Sequence, residues 1–256
     1  MISMSSFDDI SLAYDNSIDW KSRLSREMPF LLSLIENTKN PRVLDVASGS
    51  GRHSIALAVH GAEVIGIDSS KSMVKAAENH AKEQGVNPKF FVADMVDIKA
   101  TVEGPFDLII CLGNSLALVN DIDTLKQVVK DVFNLLKDGG SFVAQVLNFE
   151  EIHWTGFRNF PMKTGKLSNG EEITFARLFE HSDYPFSSTL VMSAFRKQEG
   201  EWTSEVSTHK VLNLKHDKIK SILQNAGFSS IEIYSDYEKG TLDKKYDRSM
   251  VIHSVK

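Results

Sequence analysis

The chain has 256 residues, 42% of them hydrophobic and 25% charged, with a formal charge of −5. That composition fits a globular protein with one large core. The single cysteine, Cys111, excludes an intrachain disulfide and a cysteine-rich zinc site. The mild acidity argues against a broad nucleic-acid surface, and no apolar run reaches membrane-span length. The expectation is a cytoplasmic protein with neither nucleic acid nor membrane as partner.

Residues 1–40 mix aromatic and charged side chains and read as an N-terminal helical or lid segment. Pro29, suited to a first helical turn, is expected to start a fresh helix running to Asn37. From these residues alone the favoured reading is a helix over an exposed edge of a sheet. Regular alternation begins at Arg42. A strand over 42–47 stops at Ser48-Gly49-Ser50-Gly51, and a helix with Ile55, Leu57 and Val59 follows. A strand over 62–67 closes at Asp68. Ser69-Ser70 then caps a helix over 71–84. Strands follow over 89–93 and 106–112, an amphipathic helix over 123–136, and a fifth strand over 141–147.

Strands alternating with helices predict an α/β, Rossmann-like, mostly parallel sheet of about seven strands with helices on both faces. Beyond residue 150 the character changes. Short strand-like runs over 173–179, 189–196 and 203–212, with turn signals at Asn169-Gly170 and Glu199-Gly200, predict an antiparallel β-rich insertion. A helix over 217–225 and strands over 228–234 and 249–255 complete the sheet. The expected organisation is an N-terminal segment (1–40), a core (41–150), an insertion over the substrate side (151–214) and a C-terminal completion (215–256).

Open parallel sheets bind ligands beyond the carboxyl ends of their strands. Four consecutive ends carry glycine or polar residues: Gly49 and Gly51, Asp68, Asp94, and Gly113-Asn114. Singly these are turn or cap residues; together they point to a nucleoside-type ligand. The dinucleotide pattern fails, because Ser54 stands where its third glycine belongs, and no Gly-Lys-Ser/Thr triplet makes a phosphate loop. Asp68 lies 19 positions after Gly49 and is placed to accept both hydroxyls of a ribose.

The run Asp45-x-Ala47-x-Gly49-x-Gly51 resembles the first motif of the class I S-adenosylmethionine-dependent methyltransferases, with Ala47 at the first glycine position. Cys111-Leu112-Gly113-Asn114-Ser115, Tyr14…Trp20-x-x-Arg23 and Gly227…Tyr234-x-Asp236-Tyr237 further resemble the glycine/sarcosine N-methyltransferase branch. The resemblance implies S-adenosylmethionine as cofactor, a small-molecule methyl acceptor and no metal. It implies that Tyr14, Trp20 and Arg23 close over the cofactor, with Arg23 on the methionine carboxylate. Ala47, Gly49 and Leu112 would lie at the amino-acid end, Asp68 and Ser69 at the ribose, and Asp94 and Met95 at the adenine. On the substrate side it singles out Asn114, Asn148 and Tyr14.

Two departures bear on the acceptor. The branch's substrate-orienting arginine after strand five is Leu147 here, and the histidine of its strand-four motif is Leu118. The expectation is a pocket more apolar than a glycine site and an amine acceptor, with Arg158, Arg177 or Arg196 of the insertion as the possible replacement cation. O-, S- or C-methylation, or cofactor binding without turnover, are the alternatives.

Overall fold

The computed structural model describes residues 4–256 apart from 168 and 199. Inside the main sheet lies β1 (Arg42–Val46), flanked in parallel by β2 (Glu63–Asp68) and β4 (Phe106–Cys111). Alternation along these strands divides the core into two layers. Leu44, Val46, Ile109 and Cys111 point into one, and Val43, Leu108 and Ile110 into the other. Outward from β2 comes β3 (Lys89–Val92). On the other side come β5 (Leu136–Leu147), β11 (Ser249–Val255) and β10 (Ser230–Tyr234). The order β10-β11-β5-β4-β1-β2-β3 is parallel except at β11, which runs antiparallel to both neighbours.

The helices form where capping and apolar spacing agree. Ser70 accepts from the Met73 N–H to start α4 (Lys71–Gln84), and Gly85, at φ +68°, ends it. Asp121 caps α6 (Ile122–Leu135), which buries Leu125, Val128, Val129 and Val132 on the first layer. Short α3 (Arg52–Val59) follows β1, the single turn α5 (Ile98–Thr101) precedes β4, and α8 (His216–Ala226) precedes β10. No helix among the described residues is long and apolar enough to cross a membrane.

The insertion is a separate four-stranded antiparallel sheet, β6 (Lys163–Lys166), β7 (Glu172–Glu180), β8 (Ser187–Gln198) and β9 (Glu201–Leu212), paired in chain order. It reaches the main core through Phe179, whose ring lies 5.4 Å from that of Phe149. Helix α1 (Met4–Asn16) packs Ile10 and Ala13 on Leu167, Ile173 and Phe175 of this second sheet.

Three expectations need correction. Pro29 starts no helix, because α2 runs unbroken from Trp20 to Ser33 with Pro29 inside it. Its ring faces solvent, while Met28, Phe30 and Leu31 on either side are buried and hold the helix through the missing N–H. Nor does α2 cover a sheet edge. It packs on the face of the central strands, against Val43, Leu108, Ile110 and Val143. Finally, β5 begins at Leu136 rather than residue 141, because Leu136 pairs with Phe106 across an irregular step that absorbs Asp138-Gly139-Gly140.

Candidate active site

The loop after β1 turns three times through left-handed backbone: Ala47 at φ +58°, Gly49 at +54° and Gly51 at +75°. Glycine takes this conformation freely, whereas Ala47 holds it against its own Cβ. Gly51 has a second requirement, since a β-carbon there would stand 2.7 Å from that of Ala77 and 2.8 Å from the Phe90 ring. At Gly49 an added carbon would meet nothing within 4 Å. The outer face of the loop is therefore an open cradle of bare backbone.

Asp68 closes this loop. Its Oδ2 accepts the Gly49 N–H at 2.8 Å and its Oδ1 accepts the Ser70 N–H at 2.8 Å. Ser70, not Asp68, caps α4, and Ser69 is exposed. Each carboxylate oxygen keeps a free lone-pair direction. Burial raises the Asp68 carboxyl above its ordinary range, with the Ser70 and Gly49 N–H bonds opposing. Along the same edge Asp94 accepts the Val96 N–H at 3.1 Å and is exposed, and Met95 packs half-buried against the core. Asp45 lies underneath, buried, accepting from the Ser54 hydroxyl at 2.6 Å.

After β4 the chain passes through buried Leu112 into Gly113 (φ +73°) and Asn114 (φ +69°). This turn is tied to β5: Gly113 N–H donates to Gln145 Oε1 at 3.0 Å, and Leu147 N–H donates to Asn114 Oδ1 at 2.9 Å.

The opposite wall comes from α1 and α2. Arg23 Nε bonds Glu27 Oε1 at 2.9 Å, and Glu27 Oε2 meets His53 Nε2 at 2.6 Å. The Arg23 guanidinium lies over Trp20, whose indole N–H donates to the Asp15 carbonyl; the Asp15 carboxylate accepts from Ser50 of the glycine loop at 2.7 Å. The helices are thus pinned to the loop by polar contacts. Burial disfavours the Glu27 charge, but the bonds from His53 and Arg23 outweigh it and hold its carboxyl below the usual range. Nothing in the sequence marks Glu27 except its four-residue spacing from Arg23, a common helix pairing.

Between these walls and the insertion lies a cavity of about 810 Å³. Tyr14, Arg23 and Asn114 line it together with Leu118, Leu147 and Arg177. Gly49, Asp68 and Asp94 do not line it; they follow the ends of β1, β2 and β3, the next strands of the sheet after β4. Asn148 is not brought to the cavity. That side chain is fully buried, donates to the Lys244 and Asp247 carbonyls and caps α7 (Phe149–Thr155) through the Glu150 N–H. Of the three insertion arginines only Arg177 lines the cavity. Arg196 pairs with Glu205, and Arg158 is exposed. Leu118 and Leu147 line the cavity as apolar residues, beside the charged Arg23, Glu27, Lys163 and Arg177.

The sequence profile of the methyltransferase domain matches residues 43–140, spanning β1 to the start of β5. The chain is 25% identical over 232 residues to the glycine/sarcosine N-methyltransferase of Parasynechococcus marenigrum, covering 91% of this chain and 78% of that one. Its fold is similar to a solved S-adenosylmethionine-dependent methyltransferase from Clostridium acetobutylicum, with a TM-score of 0.76, 21% identity and 93% and 92% of the two chains covered. It is also similar to a sugar N-methyltransferase from Streptoalloteichus, with a TM-score of 0.68, 19% identity and 90% and 86% covered. The glycine loop, the seven-stranded order and these likenesses agree: residues 43–140 match a methyltransferase domain, and the chain has the fold of the S-adenosylmethionine-dependent methyltransferases it resembles.

Proposed function

We propose that the chain transfers a methyl group from S-adenosylmethionine to the nitrogen of a small amine held in the 810 Å³ cavity. The observation that carries this reading is the cavity's position. It opens on Asn114, which the family resemblance assigns to the substrate side, and on Arg23, which it assigns to the methionine carboxylate. Two of the similar proteins are named as N-methyltransferases, which supports nitrogen as the acceptor atom.

The residues present suit the cofactor. Gly49 leaves open backbone where a side chain would block approach, and Asp68 keeps acceptor capacity on both oxygens for two ribose hydroxyls. Asp94 and Met95 would take the adenine, with Ala47 and Leu112 at the amino-acid end. Glu27 and Trp20 hold the Arg23 guanidinium in place for a carboxylate. When bound, S-adenosylmethionine supplies an electrophilic methyl on a sulfonium.

The chain's own residues then orient and exclude water. Asn114 is fixed by its bond to the Leu147 N–H, and Tyr14 and Arg23 form the roof. Charge moves in the reaction without being created, so alignment and desolvation dominate. An amine can shed its proton to solvent before it binds, and no base is then required. Among the described residues no histidine lines the cavity, and burial raises the Tyr14 phenol, keeping it a hydrogen-bond donor. An amine fits this lining without a base, whereas a hydroxyl acceptor would need one of the cavity's carboxylates, Asp19, Glu27, Asp236 or Glu238, at its proton.

The test is release of S-adenosylhomocysteine across a panel of small amines, amino acids, phenols and thiols. Release with amines or amino acids is expected. Release confined to phenols or thiols would overturn the nitrogen assignment.

A further inference from the structure

The insertion contributes two cations to the cavity, Arg177 of β7 and Lys163 of β6. The Arg177 guanidinium lies over two rings, 5.2 Å from the centroid of Tyr14 and 4.6 Å from that of Phe160. Lys163 Nζ lies 5.6 Å from the Tyr14 centroid on the same wall. Among the described residues neither cation has a carboxylate within ion-pair distance, and Arg177 Nε is buried without a hydrogen-bond partner. Of the four acids that line the cavity, Glu238 makes no ion pair with either cation, and the other three are held elsewhere. Glu27 holds Arg23 and His53, Asp19 caps α2, and Asp236 accepts the N–H groups of Glu238 and Gly240.

Two unpaired cations in one partly buried wall repel each other, and neutralisation of that wall by a ligand is favourable. Burial lowers the Lys163 ammonium below its ordinary value, and the positive charges of Arg177 and Arg23 push it the same way. The wall is also fixed rather than adaptable. A β-carbon at Gly165 would overlap the Ala13 carbonyl, so β6 and α1 lie in contact at that point and set Lys163 beside Tyr14. Contact with the Tyr14 and Phe160 rings restricts the guanidinium, which pre-organises it for a planar oxyanion.

We propose that Arg177 and Lys163 form an anion subsite, so that the acceptor carries a carboxylate or phosphate group at a distance from its nucleophilic nitrogen. The subsite does the work that Leu147 cannot do, and it does so from the insertion instead of from the end of β5. This deepens the N-methylation reading and rests on it for the identity of the reacting atom only.

The test uses three primary amines matched in chain length and ending in a carboxylate, a phosphate or a methyl group, with a parallel trio of phenols. The kcat/KM of at least one anionic amine is expected to exceed that of the methyl-ended amine by about tenfold or more, the range of a charge-assisted pair. Which anionic member leads distinguishes carboxylate from phosphate. In Arg177→Met the anionic-to-neutral ratio should fall towards one, and in Lys163→Met it should fall part of the way. Thermal unfolding establishes that each variant is folded. A methyl-ended amine that is used as well as its anionic partners, or a ratio unchanged in Arg177→Met, overturns the proposal. If only phenols are methylated, the nitrogen reading fails, and the same ratio among the phenols decides the subsite alone. If no member turns over, calorimetric titration into protein loaded with S-adenosylhomocysteine decides it: tighter binding of an anionic member supports the subsite, and equal or absent binding at millimolar concentration refutes it.

Discussion

Replacing Asp68 by Ala separates a structural carboxylate from a ligand-binding one. In the free protein the change releases two backbone donors, the N–H groups of Gly49 and Ser70, each bonded at 2.8 Å. Both lie at a partly exposed loop and can find water, so about 1–2 kcal/mol of stability is lost. With cofactor the loss is larger. A carboxylate accepting two ribose hydroxyls makes two charge-assisted bonds worth roughly 1.5 kcal/mol each at the lower end. Losing both weakens binding by about 3 kcal/mol, or roughly a hundredfold in Kd. Calorimetric titration of S-adenosylmethionine or S-adenosylhomocysteine into the variant measures it, with thermal unfolding of the ligand-free protein as the control for loop collapse. Asp68→Asn is the companion variant, since it keeps the shape and loses the charge. It should fall between wild type and alanine. An affinity within threefold of wild type in a folded Asp68→Ala variant would refute the ribose assignment and leave Asp68 as a loop tie only.

Three further outcomes follow from strain and burial. Ala47→Gly relieves a left-handed alanine at φ +58° and should raise the unfolding free energy by up to about 1 kcal/mol, read from denaturant midpoints. Glu27→Gln leaves Arg23 and His53 without their shared carboxylate; it should cost about 2–3 kcal/mol and weaken cofactor binding by about tenfold, because Arg23 loses its anchor. Asp45 tests pH dependence. Burial raises its carboxyl from 3.8 to about 6, so between those values the native state keeps a proton that the unfolded chain has released. The contribution of Asp45 to stability therefore falls as pH rises through that window, by about 3 kcal/mol in full. Asp45→Asn has no such proton, so its stability relative to wild type should climb between pH 4 and pH 7; a flat difference would show that the Asp45 charge is not penalised.

The alternating core was legible because each strand is a short apolar run ended by glycine or an acid. Leu125, Val128, Val129 and Val132 likewise repeat at an unambiguous helical spacing. What escaped lies where tertiary contacts override local signals. Lys163–Lys166 is Lys-Thr-Gly-Lys, with no apolar alternation, and it becomes a strand only by pairing with β7 and packing under α1. Pro29 carries a helix-start signal that loses to the burial of Phe30 and Leu31. At the site, the glycine loop and Asp68 are marked by their spacing from the strand ends. Glu27 and Lys163 are ordinary surface-type residues in sequence, and they reach the cavity through α2 packing on the sheet face and through the insertion folding over it. Asn148 shows the converse. A polar residue just after β5 looks available to a substrate, but the C-terminal segment wraps it, and Lys244 and Asp247 take its donors.

The most direct measurement is the position of the transferred methyl group. The purified protein is incubated with methyl-deuterated S-adenosylmethionine and the best acceptor from the amine panel, and the product is fragmented in a mass spectrometer. Expected is one labelled methyl per S-adenosylhomocysteine released, located on nitrogen. A label on oxygen, sulfur or carbon, or cofactor bound tightly with no labelled product from any acceptor, would contradict N-methylation of a small amine at this cavity.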